Sequence, residues 1–370
     1  MNRSNPVNAT SRLGQLLGLT VAAKASDLHL SADQHPWVRV NGQLQALSDQ
    51  PVVSGQDLND CLNELFKEGD HEQYTTHGSV DGATSDENEV RFRFNVSRVQ
   101  NQPSLVLRRL DNTFRSLADL GLSQDLLKVC DSKDGLVLVA GPTGSGKSTT
   151  LASLIHHINT QQHSHIVTIE DPVEFIHHSI KARISQRQVG PDTGHFSHAI
   201  RDALRQDPDV ILVGELRDLK TITAAVEASQ TGHLVFGTVH ASDTIGTIDR
   251  LIGVFPGEEQ SMIRTLLSSS LRTVIAQHLL PAKVDPQQST QTHPRILASE
   301  VLQLNDAARN LIRKGDLNGL RSILETGRTD GMYTLDQSLA KLLRAGRICE
   351  SVAKSLARNP NMLRELARAV

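Results

Sequence analysis

The chain has 370 residues and a formal charge of −3, room for two domains with real cores and no basic excess of the kind a duplex-coating protein carries. Its three cysteines, Cys61, Cys130 and Cys349, are lone and widely spaced, which argues against a disulfide framework or a paired-cysteine zinc module and suits a reducing cytosol. The amino end, MNRSNPVNATSRLGQLLGL, has no long apolar core, so no signal peptide is expected, and no run approaches the ~18 apolar residues of a membrane span.

In chain order, the first expected helix puts Leu13, Leu16, Leu17 and Val21 on one face. Alternating strands follow in LHLSA, WVRVNG, VRFRFNVSRV and SLVLRRL, with DGATSDENE (81–89) read as an acidic hairpin loop. This is a small α+β domain over residues 1–112. Residues 113–133 are read as a linker carrying a short helix over Ser123 to Val129.

From residue 134 to 370 the pattern is strand, loop, helix, repeated. LVLVA, IVTIE (166–170), VILVG (210–214) and LVFGTV (234–239) are continuous apolar runs, as in a mostly parallel sheet covered on both faces. Ser197 is expected to cap one helix. Asp218 is expected to cap another that ends at Thr231 and Gly232. A long helix over 257–280 is expected to place Ile263, Leu266, Leu267, Leu271, Val274 and Ile275 on a core stripe. Residues 282–294 read as a surface loop, and the remainder as basic helices.

The first of those strands runs into Gly141-Pro142-Thr143-Gly144-Ser145-Gly146-Lys147-Ser148-Thr149, which fills G-x-x-x-x-G-K-[ST]. Glycines let backbone N–H groups curl around a phosphate, Lys147 reaches the outer phosphates, and Ser148 offers a hydroxyl to Mg²⁺. The following helix points its N-terminal dipole at the same anion, so ATP or GTP is the expected ligand. In an open parallel sheet the ligand lies beyond the C-terminal strand ends. Asp207 and Asp209 precede VILVG and stand at the wrong end, roughly 15 Å away at ~3.3 Å per residue. Glu215 follows that strand and is a candidate to hold Mg²⁺. Strand IVTIE delivers Glu170 and Asp171, Glu174 comes after Pro172, and these carboxylates offer a base for the attacking water. His240, at the C-terminal end of LVFGTV, is placed to sense a terminal phosphate, whereas His233 lies at the opposite end.

ASDLHLSA (25–32), GPTGSGKSTT (141–150), IEDPVEF (169–175), ALRQDPDVILVGELRD (203–218) and TGHLVFGTVHAS (231–242) resemble, in family order, the five motifs of the secretion-superfamily ATPases. AARNLIRK (307–314) and GMYTLDQSL (331–339) resemble the type IV pilus retraction branch, with Ala308 and Lys314 where Ile and Glu are typical. The resemblance implies an α/β chain with a PAS-like N-terminal domain, a RecA-like ATPase domain and a homo-hexameric ring. It implies ATP and Mg²⁺ as cofactors and pilus retraction in twitching motility; one Trp, two Tyr and no net positive charge argue against a DNA motor, so no nucleic acid is expected. The resemblance also implies a place in the cytoplasm on an inner-membrane platform protein, alone or beside a second retraction ATPase. By the same resemblance Glu174 is the general base, Glu215 the Walker B glutamate, and His233 and His240 the His-box histidines. Arg91 and Arg93, with Arg108 or Arg109, are similar to arginines that approach a neighbour's nucleotide. The alternatives are a secretion or pilus-assembly ATPase of the superfamily and an accessory, PilU-like ATPase serving a partner motor.

Overall fold

The computed structural model describes residues 6–40, 42–110, 113–283 and 295–368. The chain forms two compact units that part between Thr113 and Phe114. The expected loop over 282–294 falls almost wholly outside the described residues.

The first unit runs α1 (Arg12–Ala22), β1 (Asp27–Ser31), β2 (Trp37–Val40), β3 (Gln43–Ala46), α2 (Gly55–Leu65), α3 (Asp70–His77), β4 (Ser79–Ser85), β5 (Arg91–Val99) and β6 (Gln102–Arg109). Its six strands make an antiparallel sheet in the order β3-β2-β1-β6-β5-β4. Period-2 alternation sorts β5: Phe92, Phe94 and Val96 are buried with Leu13, Leu16 and Leu17 of α1, while Arg91, Arg93 and Asn95 take the other face. Most of the acidic segment expected as a loop is strand. Only the turn after Ser85 remains, closed by the Asp86 carboxylate, which accepts from the N–H groups of Asn88 and Val90 at 2.9 and 2.8 Å.

In the second unit a 3-10 helix over Gln124–Asp131 precedes the sheet, capped by Ser123. Leu117, Leu122, Leu126 and Val129 belong to the same core cluster as Val137 and Val139, so much of the stretch ahead of the sheet is packed chain. The elements then run β7 (Gly135–Ala140), α4 (Lys147–Gln161), β8 (His165–Glu170), β9 (Arg183–Gln188), α5 (Phe196–Ala203), β10 (Val210–Val213), α6 (Leu219–Gln230), β11 (Leu234–Val239), α7 (Thr244–Gly253), α8 (Gln260–Ser270), β12 (Leu271–Pro281), β13 (Arg295–Gln303), α9 (Asp306–Lys314), α10 (Leu317–Thr326), α11 (Leu335–Arg344), α12 (Glu350–Leu356) and α13 (Pro360–Arg368). The sheet order is β13-β12-β7-β11-β10-β8-β9, parallel except for β13. Along β7, Leu136 and Leu138 enter one core cluster and Val137 and Val139 the other, as a strand covered on both faces must.

Two further local expectations need correction. The helix after Pro256 stops at Ser270, and Leu271–Pro281 is strand β12 between β7 and β13. Ser268, Ser269 and Ser270 turn their hydroxyls back onto helix carbonyls, and Arg309 Nη1 donates to the carbonyls of Ser268 and Ser269, both at 2.9 Å. The β-branched run Thr273-Val274-Ile275 then favours the sheet, although its apolar spacing continued the helical stripe. The second correction is Ser197, which lies inside α5; His195 is the N-cap, and starting there buries Phe196. Asp218 does cap α6, accepting from Thr221 N at 3.0 Å.

Candidate functional site

Three further parallel strands follow β7 in spatial order, β11, β10 and β8, with Ala140 in register with Val239 and Val213 with both Gly237 and Ile169. Their C-terminal ends therefore line up, and each delivers one element of the site. β7 delivers the glycine-rich loop, β11 His240, β10 Glu215, and β8 the segment from Glu170 to Glu174.

The loop is built for close approach. Gly141 has φ +153°, and a Cβ there would lie 2.3 Å from Ser145 Oγ and 2.5 Å from the Gln277 carbonyl oxygen. Gly144 and Gly146 are also left-handed, at φ +75° and +89°. Gly146 is the N-cap of α4 and supplies no side-chain acceptor, which leaves the first N–H groups of the helix for an anion. Pro142, Thr143 and Gly144 are exposed, Ser145 is buried, and Ser148 and Thr149 are half-buried in the first turn of α4. Lys147 is buried and donates from Nζ to the Gly141 and Pro142 carbonyls at 2.9 and 3.1 Å. Burial lowers its pKa, and the carboxylates of Glu215 and Glu174 oppose that shift. Both glutamates therefore sit within electrostatic reach of the ammonium.

Glu215 is approached by His240 Nε2 at 3.6 Å and by Arg217 Nη1 at 3.9 Å. The Thr238 hydroxyl donates to the Gly214 carbonyl and holds β11 against the start of that turn. Glu170 is occupied locally: its Oε1 accepts from Thr168 Oγ1 at 2.7 Å and Gln186 Nε2 at 3.2 Å, and burial raises its pKa. Glu174 lies past this anchored turn and is exposed. His233 lies at the other end of β11, where its Nδ1 is 3.1 Å from the Ala228 carbonyl and 3.2 Å from Thr231 Oγ1. It is thus not brought to the phosphate loop of its own chain. Asp209 also stands at that end, accepting from His165 N at 2.7 Å.

Arg91 and Arg93 lie in the first unit on β5. Arg93 is exposed and sits opposite Arg108, whose Nε donates to the nearly buried Asp27 at 2.8 Å. Among the described residues Arg93 makes no ion pair.

Two site-lining residues had no signal in the sequence. Gln277 of β12 lies beneath the loop, its Nε2 donating to Thr150 Oγ1 at 2.8 Å, and it was hidden by the helical reading of that segment. His177 lines a cavity of about 40 Å³ with Ser148, Glu170, Phe175 and Gly214. Its ring stacks on Phe114 at 4.7 Å, and Phe114 stacks on His156 at 4.4 Å. Burial, with His156 and His178 adding to it, pushes the His177 pKa down from 6.5 to about 4. The folded chain thus holds this imidazole neutral where the unfolded chain would protonate it. The resulting stability is complete above pH 6.5 and is lost as the pH falls from there toward 4. Urea unfolding at pH 7 and pH 5 should show a loss of up to about 2 kcal/mol from this group, and His177→Phe should flatten that difference.

The family described as type II/IV secretion system protein matches residues 13–353. This chain belongs to that family. The twitching motility protein of Neisseria gonorrhoeae is 41% identical to this family member over 324 residues, 88% of this chain and 84% of that protein. The type IV pilus retraction ATPase PilT of Pseudomonas aeruginosa is 40% identical over 346 residues, 94% and 98% of the two chains. The crystal structure of the pilus retraction motor PilT with bound ADP superposes with a TM-score of 0.88 at 38% identity, covering 96% of this secretion-family chain and 99% of that one.

Proposed function

We propose that this chain is the ATP-hydrolysing motor of type IV pilus retraction, the activity that underlies twitching motility. In this reading it works as a homo-hexamer on an inner-membrane platform protein at the cytoplasmic face. The observation that carries the reading is the group of Lys147, Glu215 and His240 at neighbouring strand ends, in a chain similar over nearly its whole length to PilT. It is an ATPase.

The loop N–H groups and the α4 dipole would receive the β- and γ-phosphates, and Lys147 would leave its two loop carbonyls to meet them. The donor set suits Mg²⁺ carried in with the nucleotide: the Ser148 hydroxyl and the Glu215 carboxylate offer hard oxygens, too few to hold the ion without phosphate and water. When bound, Mg²⁺ would neutralise charge on the phosphates. Glu174 takes the proton of the attacking water, and His240 links the γ-phosphate position to Glu215. An arginine from a neighbouring subunit, Arg93 or Arg91, stabilises charge on the transferring phosphoryl group and ties hydrolysis to subunit motion.

Deleting the gene should leave cells hyperpiliated and unable to twitch, scored by electron microscopy and colony spreading. Bald cells would instead indicate an assembly ATPase, and normal pili with failed protein export a secretion role.

A further inference from the structure

Three residues beyond His240 the chain enters α7 through a turn held by charge. Asp243 caps α7, its Oδ1 accepting from Gly246 N at 2.6 Å, while its Oδ2 receives Arg358 Nη2 at 2.5 Å. The same nitrogen lies 3.8 Å from Glu300 Oε1. Glu300 is 1% exposed, on β13, and accepts the N–H and hydroxyl of Thr244 at 3.0 and 2.7 Å and the N–H of Leu335 at 3.2 Å. Arg358 joins α12 to α13. Its own N–H and that of Asn359 are held by the two oxygens of the buried Asp336, each at 2.9 Å. His278 Nε2 bonds the Ser242 carbonyl at 2.8 Å, completing the clamp on the segment after His240.

Among the described residues no other Lys or Arg pairs with Asp243 or Glu300. Without Arg358, a nearly buried carboxylate would face a second one with no cation between them, an arrangement that drives the two apart. The segment that would yield is the turn from His240 to Asp243, because Glu300 is fixed in the sheet. His240 stands 3.6 Å from Glu215, so a small displacement of this turn separates them. Arg358 also lies beyond the residues that the family match covers.

We propose that Arg358 is a positioning residue for hydrolysis: it holds Asp243 against Glu300 and so sets the turn that presents His240 to Glu215. The proposal rests on the placement of Glu215 and His240 in the hydrolytic site. It is tested in the full-length chain with Arg358→Met, Asp243→Asn, the double variant and Glu215→Gln, reading steady-state ATP turnover, binding of a fluorescent ADP analogue and the melting temperature. Arg358→Met should lower kcat roughly tenfold while KM and analogue affinity stay near wild type, the signature of a misplaced group that binds no substrate. Adding Asp243→Asn should restore most of kcat, because asparagine keeps the α7 cap while removing one of the two facing charges. A lowered melting temperature with unchanged kcat, or a loss of kcat that Asp243→Asn does not relieve, would overturn the proposal. If Arg358→Met does not fold, Arg358→Gln, which keeps hydrogen-bond donors but carries no charge, decides: reduced kcat at wild-type melting temperature supports positioning, and wild-type kcat refutes it. Turnover surviving in Glu215→Gln would instead sink the site assignment itself.

Discussion

Glu215→Gln is expected to lower ATP turnover by about 10²- to 10⁴-fold while leaving nucleotide affinity within a few-fold of wild type. Glutamine is nearly isosteric, so the turn after β10, the Thr238–Gly214 contact and the fold should survive. What is lost is the charge that faces Lys147 and His240 and that would hold the metal's water shell. Binding should persist because it depends on the loop N–H groups and the α4 N-terminus, which the substitution does not touch. Glu174→Gln should behave alike if Glu174 is the base. Turnover and analogue binding measured on the same preparations check both, and retained turnover in both variants would refute the catalytic assignment.

The second large effect is expected at Arg93. A guanidinium delivered to a transferring phosphoryl group accounts for about 10³- to 10⁵-fold in rate, so Arg93→Ala should bring assembled rings close to the activity of isolated subunits. The geometry of the first unit favours Arg93 over Arg108 for this role. Arg108 is engaged by Asp27 at 2.8 Å, and pulling it away would leave a nearly buried carboxylate with a weaker cation, Arg39 at 3.9 Å. Arg93 is exposed beside that like charge, so an incoming anion would relieve repulsion there. Turnover of fractionated rings and subunits checks this, and an equal loss in isolated subunits would show that Arg93 does not act across an interface.

How much of this was legible beforehand follows from the range of the interactions. The phosphate loop is local: glycines at 141, 144 and 146 and a lysine beside them carry their own backbone requirement. The strand-end rule put Glu215 and His240 at the strand ends that meet the loop, because β7, β11, β10 and β8 are continuous apolar runs that read as buried strands. Residues 271–281 were misread because Leu271, Val274 and Ile275 continue a helical period by coincidence, and a guanidinium from α9 helps end the preceding helix. That error concealed Gln277 under the loop. Glu170 looked as available as Glu174 until Thr168 and Gln186 were seen to occupy it. The Asp243–Arg358–Glu300 contact joins residues 58 to 115 positions apart, and periodicity carries no information at that range.

A hydrolytic site built on Lys147, Glu215 and His240 is, in this proposal, completed by Arg93 of an adjacent copy. The decisive measurement is ATP turnover after mixing Arg93→Ala with Glu215→Gln chains. Each variant alone should be nearly inactive. In mixed rings, however, an Arg93→Ala subunit keeps an intact Glu215 and can receive Arg93 from a Glu215→Gln neighbour. ATP turnover should reappear on mixing and peak near equal proportions; turnover that stays at the level of the separate variants at every ratio would rule out an arginine shared between copies.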